Sequence, residues 1–289
     1  MAIRPNDSEI AYAKINLALH VRAREPDGYH RIETLFAFAE DGDLLTVAPA
    51  EALTLTIDGP FGAALAGEAD NLVIRAANVL RDRFAVRAGA AIRLEKRLPI
   101  ASGIGGGSAD AAAALRLLAR FWNLAEVDDA LGAIARDLGA DVPACLLSLP
   151  VRGEGRGDAL TGIDDGALAG MPLLLVNPGV PVSTGAVFSA WDGVDRGQLG
   201  FGDPLVIAGQ GRNDLEASAR RIAPDIGAAL ALLERADGVV LARMSGSGAT
   251  CFALFDTAAA RDAADDAIAQ ARPGWWRLKT GLRGHKFVP

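Results

Sequence analysis

The first periodic stretch lies at residues 10–21, where Ile15, Leu17, Leu19 and Val21 alternate with Lys14, Asn16, Ala18 and His20. Alternation of this kind predicts a strand buried on one face, with Tyr12 joining the polar side. Further strands are predicted at 44–48, 53–57 and 91–95. Val73, Ala76, Ala77, Leu80 and Phe84 carry the 3.6-residue spacing of a helix over 71–84. An alanine- and leucine-rich helix follows over 108–121, and another over 127–138 that Gly139 is suited to close. Residues 153–170 hold six glycines in eighteen positions, which predicts a connection or hairpin near a domain border. From Pro172 the pattern restarts, with strands at 173–176, 239–243, 250–255 and 275–280 and helices at 224–233 and 257–271. Strands and helices interleave in both halves, so two α/β or α+β domains are expected, as suits a chain of 289 residues.

Composition narrows the function classes. A net charge of −7 with no basic tract argues against a nucleic-acid surface. Apolar runs are broken by charge or glycine before about 18 residues, which predicts no membrane-spanning helix. Met1 to Asp7 lacks the basic-then-apolar layout of a secretory leader, so a cytoplasmic protein is expected. Cys145 and Cys251 each lie in an apolar run and read as buried reduced thiols; no Cys/His cluster has metal-site spacing, so no metal ligand is named.

The stretch Leu98-Pro99-Ile100-Ala101-Ser102-Gly103-Ile104-Gly105-Gly106-Gly107-Ser108-Ala109-Asp110 stands between a predicted strand and a predicted helix. Four glycines in five positions cost conformational entropy and let backbone approach a ligand closely. The N–H groups opening the following helix, with its positive dipole end, suit an anion. Ser108 can cap that helix or bond a phosphate oxygen. Two other phosphate motifs fail here. No lysine follows a glycine, as a Walker A loop requires, and the third glycine of a dinucleotide fingerprint would fall on Ser108 or Asp110. The loop is a different phosphate cradle, and an oxidoreductase reading fails with the fingerprint.

Phosphoryl transfer to an alcohol also needs a hydroxyl oriented and its proton accepted. Asp141, in Gly139-Ala140-Asp141-Val142-Pro143, reads by spacing alone as a helix N-cap ahead of a base. By spacing alone Lys14 and Asn16 read as solvated strand residues, and Gly28-Tyr29-His30 as an exposed turn. Residues 244–250 fit a glycine hairpin or a second anion-facing loop.

Together these residues resemble the GHMP kinases. Pro99 to Ala109 match the family's phosphate motif and Ser245-Gly246-Ser247-Gly248-Ala249 its third motif. Ala13-Lys14-Ile15-Asn16-Leu17, Asp27-Gly28-Tyr29-His30, Gly139 to Pro143 and Asn213-Asp214-Leu215-Glu216 resemble the branch that acts on a cytidylyl-bearing methylerythritol in non-mevalonate isoprenoid synthesis. The resemblance implies an α+β fold of two domains. These are an ATP-binding N-terminal domain like ribosomal protein S5 (1–165) and a ferredoxin-like C-terminal domain (166–289). It further implies catalysis by Lys14 and Asp141, and ATP phosphates held by Pro99, Gly103, Gly105, Gly106, Gly107, Ser108 and Ala109. Asn16, Tyr29, His30 and Phe188 would bind the substrate, Phe188 on the cytosine face opposite Tyr29 and His30. Mg²⁺ is expected with ATP, and the partner is a small molecule, with no nucleic acid, membrane or obligatory protein partner. Ala109 departs from the family's second serine and removes one hydroxyl contact. A homoserine- or mevalonate-type GHMP kinase is the alternative, and a non-catalytic RNA-binding module sharing the N-terminal fold is the reading from another class.

Overall fold

The computed structural model describes residues 7–65, 70–166 and 168–284; residues 1–6, read above for a leader, lie outside them. The first half runs β1 (Ser8–Arg24), β2 (His30–Ala50), β3 (Leu53–Asp58), a 3₁₀ turn (Gly62–Leu65), α1 (Leu72–Arg83), β4 (Gly89–Glu95), α2 (Gly106–Phe121), α3 (Asp128–Leu138) and α4 (Val142–Leu147). Then come β5 (Val151–Gly155), β6 (Ala159–Gly162), β7 (Pro172–Asn177), α5 (Thr184–Ser189), α6 (Pro204–Gln210) and α7 (Glu216–Ile222). The chain continues through α8 (Asp225–Glu234), β8 (Val239–Met244), β9 (Cys251–Phe255), α9 (Ala258–Ala271) and β10 (Trp276–Gly281). Contacts group the residues into two units. One comprises Met1–Ala13, Asp41–Ile100 and Gly105–Leu147, the other Lys14–Glu40, Ala101–Ile104 and Ser148–Pro289.

In the first unit β3 runs parallel to β4 (Leu53 beside Ala90, Asp58 beside Glu95), and β4 runs antiparallel to the end of β2 (Leu44 beside Glu95). The parallel pair needs a crossover, which α1 supplies. Asn71 starts α1 by accepting the Val73 N–H, and the helix buries the predicted stripe Val73, Ala76, Ala77 and Leu80. Its neighbour α2 buries Ala109 and the run Ala111 to Ala114. Such small side chains let α1 and α4 pack closely against it.

In the second unit β10, β7, β9 and β8 form an antiparallel sheet in that order, with α8 and α9 packed against it. Leu174, Val176, Cys251, Ala253 and Phe255 meet Ile226, Leu230, Leu233, Ala264 and Ile268 in one core. The opposite face carries Leu173, Leu175, Phe252 and Leu254, also buried, so these strands read as continuous apolar runs rather than alternating ones. The start of β2 pairs with β5 (Ile32 beside Gly155), and β5 turns into β6 through Gly157 at φ +97°. The glycine-rich stretch therefore includes the hairpin that its composition allows. Cys145 and Cys251 are both buried, and neither is in a disulfide.

Three sequence expectations need correction. The strand expected at 10–21 is not half-buried, because every residue from Ala13 to Val21 is buried, Lys14, Asn16 and His20 included. Strand β2 starts at His30, well before the predicted 44. Its run Phe36-Ala37-Phe38-Ala39 is buried on both faces, and the polar run Glu40-Asp41-Gly42-Asp43 after it reads locally as a turn. Gly42 lies against backbone, where a Cβ would sit 1.9 Å from the Ala11 carbonyl oxygen. Helix α2 begins at Gly106, two residues before the predicted Ser108, so the last two loop glycines belong to its first turn.

Candidate active site

In the second unit the polar side chains of β1 form a buried network. Lys14 Nζ donates to Asn16 Oδ1 at 2.9 Å, Asn16 Nδ2 to Thr34 Oγ1 at 2.8 Å, and the Thr34 hydroxyl to the Ala18 carbonyl at 2.7 Å. Burying an ammonium is costly without partners, and Asn16 supplies one. The Phe36 ring lies under it, 5.2 Å from Nζ to the ring centroid. Neither Lys14 nor Asn16 is the solvated strand residue that spacing alone allows.

Two glycine loops meet this network through backbone atoms and the Ser245 hydroxyl. The Asn16 N–H donates to Ser245 Oγ at 3.2 Å, and the Ser245 hydroxyl donates to the Gly103 carbonyl at 2.9 Å. The Lys14 N–H reaches the Ile104 carbonyl, and the Thr250 N–H the Ser102 carbonyl. Gly103 has φ +77°, and a Cβ there would stand 2.4 Å from the Ser245 carbonyl oxygen. Gly246 has φ +54°, with a Cβ position 2.8 Å from the Gly103 carbonyl oxygen. Residues 245–250 thus turn β8 into β9 and touch the phosphate motif through main chain and the Ser245 hydroxyl, at a closeness of backbones that only glycine permits at Gly103 and Gly246. Beneath the turn, Asn213 Nδ2 donates to the carbonyls of Met244 and Gly246, each at 2.8 Å.

The expected nucleobase residues take two environments in the same unit. The His30 ring lies 5.0 Å from Phe188 and 5.7 Å, edge-on, from Trp191. Burial and then the charge of Arg24 lower its imidazole below the usual value, so at neutral pH one nitrogen can donate while the other accepts. Tyr29, 54% exposed, stacks on the Arg156 guanidinium at 3.9 Å instead of joining that cluster. Phe188 comes from α5, where Ser183 caps the Ala186 N–H. Thr184 Oγ1 at the start of α5 is 2.9 Å from Ser247 Oγ, tying the ring's helix to the second glycine loop. Trp191 was missed by sequence reasoning, although its spacing of three from Phe188 places both on one side of a helical turn.

In the first unit the helix that follows the cradle has Gly105 at its N-cap, left-handed at φ 64°, with no side-chain cap. Ser108 is therefore not the cap. The N–H groups of Gly106, Gly107 and Ser108 point out of the helix start without i−4 partners, as an anion site needs. Ala109, by contrast, is 2% exposed and packs inward, so the family's second hydroxyl would have been buried there. Pro99 is buried ahead of the loop. Asp141 stands just before α4, and its carbonyl accepts the Cys145 N–H at 3.0 Å, which is the backbone role of an N-cap.

A buried charge cluster lies next to this helix start. Lys96 Nζ donates to Asp43 Oδ2 at 2.5 Å and to Asp110 Oδ2 at 2.7 Å. Asp43 Oδ1 accepts the N–H groups of Arg97 and Leu98. Sequence reasoning singled out none of these three, since a lone Lys after a strand carries no pattern. Among the described residues no group of three or more His, Cys, Asp or Glu is arranged to hold a metal ion, and no helix is long and apolar enough to cross a membrane.

Comparison with known proteins shows the family. Residues 71–148 match the GHMP kinases N terminal domain and residues 200–272 the GHMP kinases C terminal domain. The chain is 60% identical to a 4-diphosphocytidyl-2-C-methyl-D-erythritol kinase of Rhizorhabdus wittichii, across 96% of this chain and 94% of that one. It is 52% identical to the enzyme of that name from Sphingopyxis alaskensis, covering 95% and 98%. A crystal structure of 4-(cytidine 5'-diphospho)-2C-methyl-D-erythritol kinase superposes with TM-score 0.78 at 34% identity, covering 96% of this chain and all of that one (100%). Homoserine kinase from Cytophaga hutchinsonii shares the fold at TM-score 0.66 and 16% identity, over 98% of each chain. With both family domains matched in order and a relative of this identity along nearly its whole length, the chain belongs to the GHMP kinases, ATP-using phosphotransferases of mixed helix and sheet.

Proposed function

We propose that the chain transfers the γ-phosphoryl group of ATP to the 2-hydroxyl of 4-diphosphocytidyl-2-C-methyl-D-erythritol, a step of non-mevalonate isoprenoid precursor synthesis. The observation that carries this reading is the second unit's combination of a buried Lys14 held by Asn16 with a His30 ring, its pKa lowered by burial, set against Phe188. The first suits a reacting hydroxyl; the second suits a neutral base with a donor and an acceptor edge.

In this mechanism Asp141 accepts the proton of the 2-hydroxyl, whose oxygen attacks the γ-phosphorus as the bond to the bridging oxygen breaks and ADP leaves. Lys14 orients that hydroxyl and favours its alkoxide, and Asn16 contacts the substrate beside it. Pro99, Gly103, Gly105, Gly106, Gly107, Ser108 and Ala109 form the segment that holds the ATP phosphates by main chain and by the Ser108 hydroxyl. His30 and Phe188 read the cytosine, with Tyr29 closing over it once released from Arg156. Mg²⁺ bound to ATP would neutralise phosphate charge; a donor-poor protein site suits an ion carried mainly by nucleotide oxygens and water. The reaction belongs in the cytoplasm and needs no nucleic-acid or protein partner, and residues 1–165 and 166–289 act as the family's two domains.

A coupled assay of ADP release tests the reading. Turnover with 4-diphosphocytidyl-2-C-methyl-D-erythritol is expected, falling by about 10²–10⁴ in Asp141→Asn. Undiminished turnover in that variant would remove Asp141 as the base, and preference for homoserine or mevalonate would overturn the substrate.

A further inference from the structure

The Lys96 cluster spans the two ends of the phosphate loop. Lys96, Arg97 and Leu98 lead into it from β4, while Asp110 lies in α2 just beyond it. Asp43, from β2, fixes the N–H groups of Arg97 and Leu98 through one oxygen and the Lys96 ammonium through the other. The ammonium then reaches Asp110. Lys96, Asp43 and Asp110 are all buried, at 2%, 0% and 3% exposure. A Cβ on Gly106 would lie 3.0 Å from Lys96 Nζ, so the ammonium sits directly beside the first residue of α2. Asp110 Oδ1 is buried with no hydrogen-bond partner.

We propose that Lys96, clipped between Asp43 and Asp110, is a positioning residue for the phosphate-binding loop, fixing the span of Pro99–Gly105 and offsetting negative charge beneath the helix start. This rests on reading the loop as the ATP cradle. A loop rich in glycine has many conformations, and only one presents its N–H groups together; a clip across its ends removes most of the others before ATP arrives. The clip also sets a charge. With both carboxyls ionised it sums to −1, and with Asp110 protonated it sums to zero. Burial pushes the Asp110 carboxyl up to about 7, with Lys96 lowering it and Asp43 raising it. Those two groups, from the end of β4 and from β2, are the charged side chains acting on it, and the orphan oxygen is where the proton of the neutral form would sit.

Asp110→Asn separates this role from a merely structural one, since it keeps the shape and an acceptor for Lys96 while holding the clip at zero charge. ATP binding with Mg²⁺, measured by calorimetry at about pH 6 and about pH 8.5, should match wild type at the lower pH and be tighter by about three- to tenfold at the higher. Taking the ratio of the two proteins cancels the titration of ATP itself. Asp43→Asn, which costs the ammonium or the two N–H groups a partner, should weaken ATP binding by about tenfold and leave the KM of the alcohol unchanged. Asp110→Asn tracking wild type at both pH values, or Asp43→Asn raising both KM values alike, would overturn the clip's role while leaving the cradle intact. A wild-type chain that binds no ATP would overturn both.

Discussion

Asn213 is the side chain on which the second glycine loop most depends, and replacing it with Ala has a predictable cost. Its amide donates to the carbonyls of Met244 and Gly246, and its oxygen accepts the Leu215 N–H at 3.0 Å. The residue is buried, so no water replaces these partners freely. Three hydrogen bonds at about 1 kcal/mol net each give about 3 kcal/mol, and more where a carbonyl is left without a donor. At about 2–4 °C per kcal/mol for a chain of this size, the melting temperature should drop by about 6–12 °C. Function should suffer as well, because Ser245 joins Asn16 to Gly103 from the loop that Asn213 holds. Scanning fluorimetry beside steady-state kinetics measures both effects. Asn213→Asp is the sharper variant: it keeps volume and the acceptor for Leu215 but sets a carboxylate against two carbonyls. If donors matter, it should be no better tolerated than Ala. Melting temperatures of both variants within about 1–2 °C of wild type would refute the argument.

Gly103→Ala should fold with difficulty or lose activity by at least about 10²-fold, since its Cβ would strike the backbone of both Ser245 and Gly248 in a left-handed conformation; near-normal kcat/KM would contradict this. His20 makes stability fall in acid. A carbonyl can only accept and an N–H only donate, so the Gly197 carbonyl takes the Nδ1 proton and the Arg212 N–H bonds bare Nε2. Burial, followed by the Arg212 charge, lowers its pKa below the usual 6.5. This contribution is complete above about pH 6.5 and is lost as pH falls, at up to about 1.4 kcal/mol per pH unit. His20→Gln, compared with wild type by urea unfolding at about pH 7.5 and about pH 5.5, should flatten that loss, and parallel profiles would exclude His20 as its source.

What was legible in the chain followed from local rules. The stripe of α1, the alanine-rich α2 and the strands of the second half each repeat a helical or strand period, and periodicity survives folding because each element buries one face or both. The short helices α5, α6 and α7 were not legible, because six or seven residues are too few to show a period. The early start of β2 was hidden because Glu40-Asp41-Gly42-Asp43 carries turn chemistry, which pairing with distant strands overrides. Trp191 and the Lys96 cluster were invisible for a different reason. Ring packing and buried ion pairs join residues far apart in the chain, and no spacing rule encodes such a meeting.

The sequence by itself determined that this chain carries a glycine cradle ahead of a helix, neither Walker nor dinucleotide in type, together with the motifs of a GHMP kinase. Glycine content, alternation and motif order are local properties, and the physics of a helix start makes the suitability for an anion a local property too. Tertiary structure decided which polar residues are buried and what they touch. Lys14 and Asn16 look like a solvated strand face until Thr34, Ser245 and Gly103 close around them. His30 faces Phe188 while Tyr29 lies on Arg156. Desolvation makes these groups chemically distinct, and it is imposed only when segments separated by scores of residues pack together.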